Sequence, residues 1–263
     1  MAESISIIIP ALNEAEAIGR TLDSVEDSVR DSAGDSAAEW IVVDGDSEDR
    51  TAEIARARGA TVVTAPRGRA SQMNAGAKIA RGETLLFLHA DTRLPQGFAE
   101  EVRRVLGVPG VAAGAFSLRI DGAAKGMPRG MQCWMQFVER AANWRSRILQ
   151  LPYGDQGFFL KAEVFRSLGG FPELPLMEDL EMARRVRGHG RIAISPLGVV
   201  TSARRWERVG VVRATLLNQV FLLAYLAGMP PRRIAQWYYP RSKLQTANSK
   251  LQTNPNPQSQ NSK

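Results

Sequence analysis

The chain has 263 residues, of which 44% are hydrophobic, and it contains one cysteine and two histidines. This apolar fraction is typical of a globular protein, which excludes a collagen-like or wholly disordered chain. Cys133 has no partner for an internal disulfide, and with two distant histidines it cannot form a zinc site. The first residues do not resemble a signal peptide, so we expect a cytoplasmic protein.

The net charge of +7 is unevenly distributed along the chain. Residues 1–55 carry 14 acidic and 3 basic side chains, whereas the remainder carries 31 basic and 13 acidic ones. This split favours an anionic partner for the basic part, which could be a phosphorylated small molecule, an anionic lipid or a nucleic acid. The alternative is that the basic composition only aids solubility.

Short apolar strands alternate with helical segments through the first third of the chain. The predicted strands are 4–10, 40–43, 60–65 and 84–89, and the predicted helices are 14–29, 51–58 and 69–80. Continuous apolar strands that alternate with helices predict an α/β fold with a mostly parallel central sheet and helices on both faces. In such sheets ligands bind beyond the carboxyl ends of the strands.

The loops after these strands are rich in polar residues, although neither a dinucleotide fingerprint nor a P-loop is present. An aspartate at the end of a strand can accept hydrogen bonds from a base or from ribose hydroxyls. Arg69 could hold a diphosphate in bidentate fashion. His89 and Asp91, two residues apart after the fourth strand, suit a hard cation that takes its other ligands from phosphate and water.

Five segments in this order and spacing resemble family 2 glycosyltransferases with the GT-A fold. They are SIIIPALNE, IVVDGDSEDRT, GRASQMNAG, FLHADTRLP and PLMEDLEMARR, and the resemblance extends over residues 4–213. PYGDQGFF and TSARRWE narrow the resemblance to a bacterial branch known as radical-SAM/selenodomain-associated transferases, a name that implies no substrate.

The resemblance implies a nucleotide site in the first half of the chain. Residues at matching positions are Pro10, Leu12, Glu14, Asp44, Asp49, Arg69, Asn74 and His89. The chain departs from the family pattern at four of its positions: Gly45 replaces an Asp, Asp46 a Gly, Gln72 an Ala, and His89 the first Asp of the D-x-D motif.

The resemblance also implies a metal ligand and a catalytic base. Asp91 matches the second Asp of the D-x-D motif, which carries a divalent cation, Mg²⁺ or Mn²⁺. Asp179 matches the base of inverting members, which take the proton of an acceptor hydroxyl as it attacks the anomeric carbon. The alternative for residues 178–181 is structural, because acidic side chains stabilise the first turn of any helix.

On the acceptor and diphosphate side, the matching residues are Asp155, Gln156, Glu178, Arg205 and Trp206. Trp206 could stack on a sugar, and its alternative is a core or rim aromatic. Asp155 and Gln156 could instead form a simple turn before a strand at 158–161.

We expect three regions: a GT-A domain at 1–207, a C-terminal helical segment at 208–240, and a disordered basic tail at 241–263. The uncharged run of 18 residues from Ala214 to Pro231 contains Asn218 and Gln219, so it does not predict a membrane span. With its flanking arginines it suits a peripheral anchor at the inner face of the membrane. A helix buried against the domain or in a dimer is the alternative.

These observations predict an inverting transferase that moves a sugar from a nucleotide-diphosphate donor, with UDP as the expected nucleotide, to an unknown acceptor that could be lipid-linked. Two other classes stay open. One is a degenerate module that binds a nucleotide-sugar without turnover, and the other is a sugar nucleotidyltransferase, which lacks support because no glycine-rich loop follows the first strand. No nucleic-acid partner is expected, because the arginines do not alternate with stacking aromatics.

Overall fold

A computed structural model describes residues 3–30, 38–121 and 129–238. In this part of the chain one eight-stranded sheet is flanked by helices, with strand order β3-β2-β1-β4-β7-β6-β8-β5. The strands are β1 (Ile5–Ala11), β2 (Ala38–Asp44), β3 (Thr61–Thr64), β4 (Thr84–Phe87), β5 (Thr92–Arg93), β6 (Val111–Ile120), β7 (Phe158–Lys161) and β8 (Arg191–Thr201).

The helices follow the alternation that the sequence predicts in the first half of the chain. They are α1 (Ile18–Arg30), α2 (Thr51–Ala57), α3 (Arg69–Ile79), α4 (Phe98–Leu106), α5 (Arg129–Leu149), α6 (Ala162–Ser167), α7 (Glu178–Val186), α8 (Arg204–Val209), α9 (Val211–Leu226) and α10 (Pro231–Tyr238). A single 3₁₀ turn, Gly154–Gln156, precedes β7.

The mostly parallel sheet is confirmed. β1 to β4 are parallel to one another, β7 runs antiparallel to both β4 and β6, and β8 is parallel to β6. Reversal at β7 brings the 3₁₀ turn that precedes it to the edge where β4 ends. That edge therefore receives residues from both halves of the chain.

Apolar side chains alternate between the two faces of the sheet and form two core clusters. On β1, Ile8 belongs to one cluster, while Ile7 and Ile9 belong to the other, and all three are fully buried. Burial on both faces explains why the strand is a continuous run of β-branched residues. The core therefore fixes the strand ends, and with them the loops that carry the polar residues.

Three predicted boundaries were wrong by two residues or more; one is that of β2, which begins at Ala38 and not at residue 40. α1 begins at Ile18 and not at residue 14, because the backbone N–H of Glu14 donates to Thr51 Oγ1 and that of Ala15 to Asp49 Oδ2, which holds this stretch as turns. β4 ends at Phe87, two residues before the predicted end, so His89 and Asp91 lie in a loop.

The C-terminal segment is helical, as the sequence predicts, but α8 spans the boundary expected at residue 207. Its Trp206 and the Ala214 side chain of α9 pack with Leu118 and Ile120 of β6, so these helices are attached to the sheet. In the described ranges no helix is both long and apolar enough to cross a membrane. The predicted tail at 241–263 lies outside the described residues.

Candidate active site

The candidate site lies at the edge where β1, β2 and β4 end, and α7 and α8 begin beside it. A cleft lies next to it. Its lining combines apolar residues with polar groups from both halves of the chain: Met73, Phe87, His89, Pro152, Tyr153, Gly154, Phe158, Phe171, Glu178 and Asp179. The sequence placed three of these, His89, Glu178 and Asp179, in the site.

The loops after β1 and β2 are held together by their own polar groups. The N–H of Asn13 donates to Ser47 Oγ at 2.9 Å. Asp49 accepts hydrogen bonds from the backbone N–H of Ala15 at 3.1 Å and of Thr51 at 3.0 Å. Burial opposes ionisation of Asp49, but these hydrogen bonds dominate and lower the pKa of its carboxyl. Asp49, a predicted nucleotide ligand, therefore serves here to join the two loops.

Two departures from the family pattern are explained by the local geometry. A Cβ added to Gly45 would lie 3.0 Å from Nε2 of Gln72, which donates to the carbonyl oxygens of Ala11 and Val43, both at 2.8 Å. Gln72, which is buried, thus fills the space that a side chain at position 45 would need. The two departures, Gly45 and Gln72, compensate each other.

The third departure falls on a backbone conformation that suits glycine. Asp46 has φ +69°, in the left-handed region that glycine adopts at no steric cost and aspartate tolerates better than most residues. The loop therefore keeps a glycine-type turn at this position. Preceding it, Asp44 is buried, with Oδ2 accepting from the N–H of Ser47 and Oδ1 without a hydrogen-bond partner among the described residues. The unpartnered oxygen is available to a ligand at the end of β2.

Arg69 and Asn74 of α3 connect the first half of the chain to the second. Arg69 Nε lies 2.7 Å from Oε1 of Glu178, the first residue of α7. The side-chain amide of Asn74 donates to the carbonyl oxygen of Phe171 and accepts from its N–H, both at 2.8 Å. Asn74 was predicted to bind the nucleotide, but its amide is engaged with the backbone of Phe171.

His89 and Asp179 meet at Gly154. The N–H of Gly154 donates to Asp179 Oδ2 at 2.8 Å, and a Cβ on this glycine would lie only 2.6 Å from His89 Nε2. The absence of a side chain at Gly154 thus allows the imidazole and the carboxylate to approach the same point of the backbone. Met177, just before the acidic pair, has φ +68°, a strained conformation for a residue of its size.

Burial shifts the pKa values of the groups around His89. Desolvation, together with the charge of Arg69, lowers the pKa of His89. Desolvation also raises the pKa of Asp155, against the opposing effects of His89 and Arg145. It raises the pKa of Glu178 as well, with Arg69 opposing. Shifted groups that converge on one cleft are typical of functional sites.

Arg204, at the start of α8, bridges two of the predicted ligands. Its Nη2 lies 2.5 Å from Glu14 Oε2 and 3.3 Å from Asp91 Oδ2. Ser202 Oγ accepts from Arg204 Nε at 3.2 Å and fixes the guanidinium. Burial raises the pKa of Glu14, although the hydrogen bond from Arg204 opposes this shift. The sequence analysis assigned no role to Arg204. The signal that could have found it is the convergence of two acidic loops at one edge of the sheet, because neighbouring carboxylates favour an arginine partner.

The described residues hold no ready-made group of three His, Cys, Asp or Glu side chains for a metal ion. Mg²⁺ sites in phosphate-binding proteins commonly use only one or two carboxylates, with phosphate oxygens and water as the other ligands. Asp91, whose side chain is 27% exposed and whose Oδ2 lies 3.3 Å from Arg204 Nη2, fits that kind of site. Asp155 lies close enough to Asp91 for their charges to interact. The Oδ1 atom of Asp155 is buried without a hydrogen-bond partner among the described residues.

Four other predicted residues lie as follows. Pro10 is buried in β1, while Leu12 follows it in the loop and is 37% exposed. Gln156 is fully buried and engaged by Ser146 Oγ, the N–H of Tyr153 and the carbonyl of Phe116, and its predicted part on the acceptor side stays a prediction. Trp206 is 8% exposed and covered by the cluster on β6, which leaves no ring face for a sugar.

Arg205 lies in the first turn of α8, between Arg204 and Trp206. Its side chain lies outside the described residues, so its predicted contact with the diphosphate stays a prediction.

An α/β sheet with acidic and basic groups converging at its carboxyl edge defines a ligand-binding α/β enzyme of the nucleotide-binding type. The family model "Glycosyl transferase family 2" matches residues 6–169, more than half of the chain. The chain therefore belongs to glycosyl transferase family 2, and its fold is the GT-A fold expected from the sequence.

Known proteins agree with this assignment. The chain is 37% identical over 107 residues to 4,4'-diaponeurosporenoate glycosyltransferase of Staphylococcus haemolyticus (strain JCSC1435); the match covers 38% of this chain and 27% of that protein. The structure of the present chain resembles that of mannosyltransferase PcManGT from Pyrobaculum calidifontis in complex with GDP-Man and Mn²⁺. The TM-score is 0.60 and the sequence identity 20%, over 95% of this chain and 81% of the PcManGT chain.

A second structural neighbour is S. aureus TarS 1–349 in complex with UDP. The TM-score is 0.57 and the identity 18%, over 76% of this chain and 60% of that chain. At these identities the structural likenesses establish the fold alone.

Proposed function

We propose that this protein transfers a sugar from a nucleotide-diphosphate sugar to an acceptor hydroxyl, by one displacement that inverts the anomeric centre. Asp179 is the general base in this proposal. The observation that carries it is the position of Asp179 on the cleft wall, at the N-terminus of α7, with Oδ2 held by the N–H of Gly154.

In the proposed step the acceptor oxygen forms a bond to the anomeric carbon as the bond from that carbon to the diphosphate breaks. The hydroxyl proton passes to the Asp179 carboxylate, and the diphosphate leaves with the bonding electrons. The hydrogen bond from Gly154 orients the carboxylate, and the adjacent Glu178 is paired with Arg69, which places a positive charge beside the cleft. A base fixed in this way needs little reorganisation in the transition state.

The leaving diphosphate gains negative charge as its bond to the sugar breaks, and positive groups near it stabilise that charge. Arg69 pairs with Glu178 and acts electrostatically on His89, and Arg204 pairs with Asp91, so both arginines are near the proposed position of the diphosphate. A divalent cation, Mg²⁺ or Mn²⁺, held by Asp91 would neutralise the leaving diphosphate. PcManGT was solved with Mn²⁺, which supports a metal of this kind here.

The ligands and names of the relatives indicate which nucleotides and which kind of acceptor are candidates for this protein. TarS binds UDP and PcManGT binds GDP-Man, so a pyrimidine and a purine nucleotide are both candidates, and the family resemblance favours UDP. The name of the staphylococcal relative, 4,4'-diaponeurosporenoate glycosyltransferase, supports an apolar acceptor. The cleft has apolar walls as well as polar ones, among them Met73, Phe87 and Phe171.

The second candidate is a module that binds a nucleotide-sugar without turnover. His89 in place of the first Asp of the D-x-D motif favours it. The other departures do not, because Gly45 with Gln72 and Asp46 with its positive φ preserve the loop.

The test is Asp179→Asn, with nucleotide release from UDP-glucose and GDP-mannose measured in the presence of a panel of apolar acceptors. The asparagine oxygen can still accept from Gly154, so folding and nucleotide affinity should be kept. We expect the transfer rate to fall about 100-fold or more, because the base is lost.

The matched control is Glu181→Gln on the same helix, where Glu181 pairs with Arg184 and Arg185, accepts a hydrogen bond from the Tyr225 hydroxyl and does not line the cleft. Its rate should stay within about twofold of the unmodified protein, because the glutamine oxygen can still accept from Tyr225. A rate for Asp179→Asn equal to that of this control would remove Asp179 as the base. Nucleotide binding without any turnover by the unmodified protein would favour the binding module.

A further inference from the structure

Helix α5 carries an apolar stripe that no part of the described chain covers. Trp134, Phe137, Ala141, Trp144 and Ile148 recur at alternating spacings of three and four residues, which places them on one face. Phe137 is 58% exposed, Trp144 64% and Ile148 62%. A monomeric soluble protein rarely exposes such large side chains in one continuous line.

The opposite face of α5 already has its packing partners. Met135 is fully buried, and Val138 and Ala142 pack beside it against Leu118 and Ile120 of β6. The core of the domain therefore accounts for only one face of this helix. The stripe on the other face is an additional feature.

The neighbouring C-terminal helices also carry exposed apolar side chains. α9 packs against α5 and also against α10. On α9, Leu216, Val220 and Leu223 recur at spacings of four and three, and they are 60%, 50% and 64% exposed. Trp237 of α10 is 62% exposed. We refer to the exposed apolar side chains of these three helices as the α5–α9–α10 surface.

The charges around this surface have one sign. The three helices contain seven arginines and a single acidic residue, Glu139, which accepts a hydrogen bond from the N–H of Ile120. The arginines with exposed side chains are Arg140, Arg147, Arg213, Arg232 and Arg233, whereas Arg145 is buried over the ring of Tyr153. Arg140 and Arg147 are exposed and lie beside the stripe on α5.

We propose that the α5–α9–α10 surface docks on the surface of an anionic lipid bilayer. Apolar and aromatic side chains enter the headgroup boundary, and arginines extend their charged ends to the lipid phosphates. The cytoplasmic leaflet carries anionic lipids that attract clusters of this kind. The proposed partner thus matches both the hydrophobicity and the charge of the surface.

A second copy of this chain fits less well. A twofold dimer would bring the same patch of each copy together, so the arginine clusters would face each other. The docking proposal deepens the proposed function by naming where an apolar acceptor is met. It is tested by vesicle binding in the absence of donor, so its failure is distinguishable from failure of the transfer proposal.

The experiment is flotation of the full chain with phosphatidylcholine vesicles, with and without phosphatidylglycerol. We expect binding only to the anionic vesicles and release by salt. Phe137→Ser combined with Trp144→Ser should weaken this binding about tenfold or more, because two large apolar side chains no longer enter the boundary. Ile79→Ser is the control, since Ile79 is also exposed, at 42%, but lies at the end of α3.

Charge is tested separately with Arg140→Gln combined with Arg232→Gln, for which we expect a loss of about tenfold. The control is Arg50→Gln at the N-cap of α2, which is far along the sequence from α5, α9 and α10. Undiminished binding of the Phe137/Trp144 variant would overturn the proposal. So would an absence of vesicle binding, including the case in which sedimentation reveals a dimer that this variant disrupts.

Discussion

The two sides of the candidate cleft treat their polar groups differently. In the loops after β1 and β2 and on α3, most predicted polar ligands have protein partners, as Asp49 has with Ala15 and Thr51, and Asn74 with Phe171. The exceptions on this side are Asp44, whose Oδ1 has no partner among the described residues, and Glu14, whose pKa burial raises. On the opposite side, Asp155 keeps a buried oxygen without a partner among the described residues, and burial shifts the pKa values of His89 and Glu178.

This difference distinguishes the residues that stabilise the loops from the residues that are available for binding and catalysis. A polar group whose hydrogen bonds are all made by the protein stabilises a loop and has little left for a ligand. A group that burial holds away from its ordinary pKa retains free energy that a ligand or a proton can release. Residues of the first kind should therefore govern stability when changed, and residues of the second kind should govern binding and rate.

The largest stability effect is expected at Asn74. Replacing it with alanine leaves both the N–H and the carbonyl of Phe171 without their partner, so we expect the free energy of unfolding to fall by about 2–3 kcal/mol. Urea denaturation measures this change. Asn143→Ala is the matched control, because Asn143 bonds the N–H and the carbonyl of Leu118 in the same way on α5.

For both asparagine variants the nucleotide affinity should stay within about threefold of the unmodified protein, once both are measured in the folded state. If Asn74→Ala were as stable as the unmodified protein but failed to bind nucleotide, Asn74 would be a nucleotide ligand. The distinction between the two sides of the cleft would then be wrong for this residue.

A smaller effect is expected from restoring the family's aspartate. Gly45→Asp brings a side chain against Gln72 and disturbs its bonds to Ala11 and Val43, which should cost about 1–2 kcal/mol of stability. Adding Gln72→Ala should recover part of this loss. The measurement is a double-mutant cycle by urea denaturation, with an expected coupling of about 1 kcal/mol. Additive losses would show that the two departures are independent.

The smallest effect is a change in pH dependence at Glu178. Because burial raises its pKa in the folded protein, its contribution to stability is fully present below pH 4.5 and is lost as the pH rises through the raised value. Relative to Glu178→Gln, the unmodified protein should therefore become less stable as the pH rises from 4 to 8. Urea midpoints across this range provide the test, and a difference that grows in the opposite direction would contradict the desolvation argument.

The first half of the fold could be predicted because local pattern decides it. Continuous apolar runs gave the strands, and turn residues gave the loops between them, so the sequence correctly predicted the positions of β1 to β4 and α2 to α3. The boundary that failed at residue 14 depends on contacts with distant residues such as Thr51, which a local pattern does not contain. At the end of β4 the apolar run continues past Phe87, so the local pattern makes the strand too long.

The site was harder to predict because a residue type does not reveal its partners. Asn74 and Gln156 have the chemistry of ligands, but backbone groups far along the chain engage them. Arg204 entered the site through Glu14 and Asp91, which are distant in sequence. The exposed stripe on α5 is periodic in the sequence, yet its periodicity alone does not tell a buried face from an exposed one.

The most direct test is calorimetric titration of UDP and of GDP into the purified full chain with Mn²⁺, with Mg²⁺ and with EDTA, alongside Asp91→Asn. The account predicts that one nucleotide binds in the presence of metal and about tenfold or more weakly in EDTA, and that Asp91→Asn loses this difference. Equal affinity of the unmodified protein with metal and with EDTA, or no binding of either nucleotide by the folded chain, would contradict it.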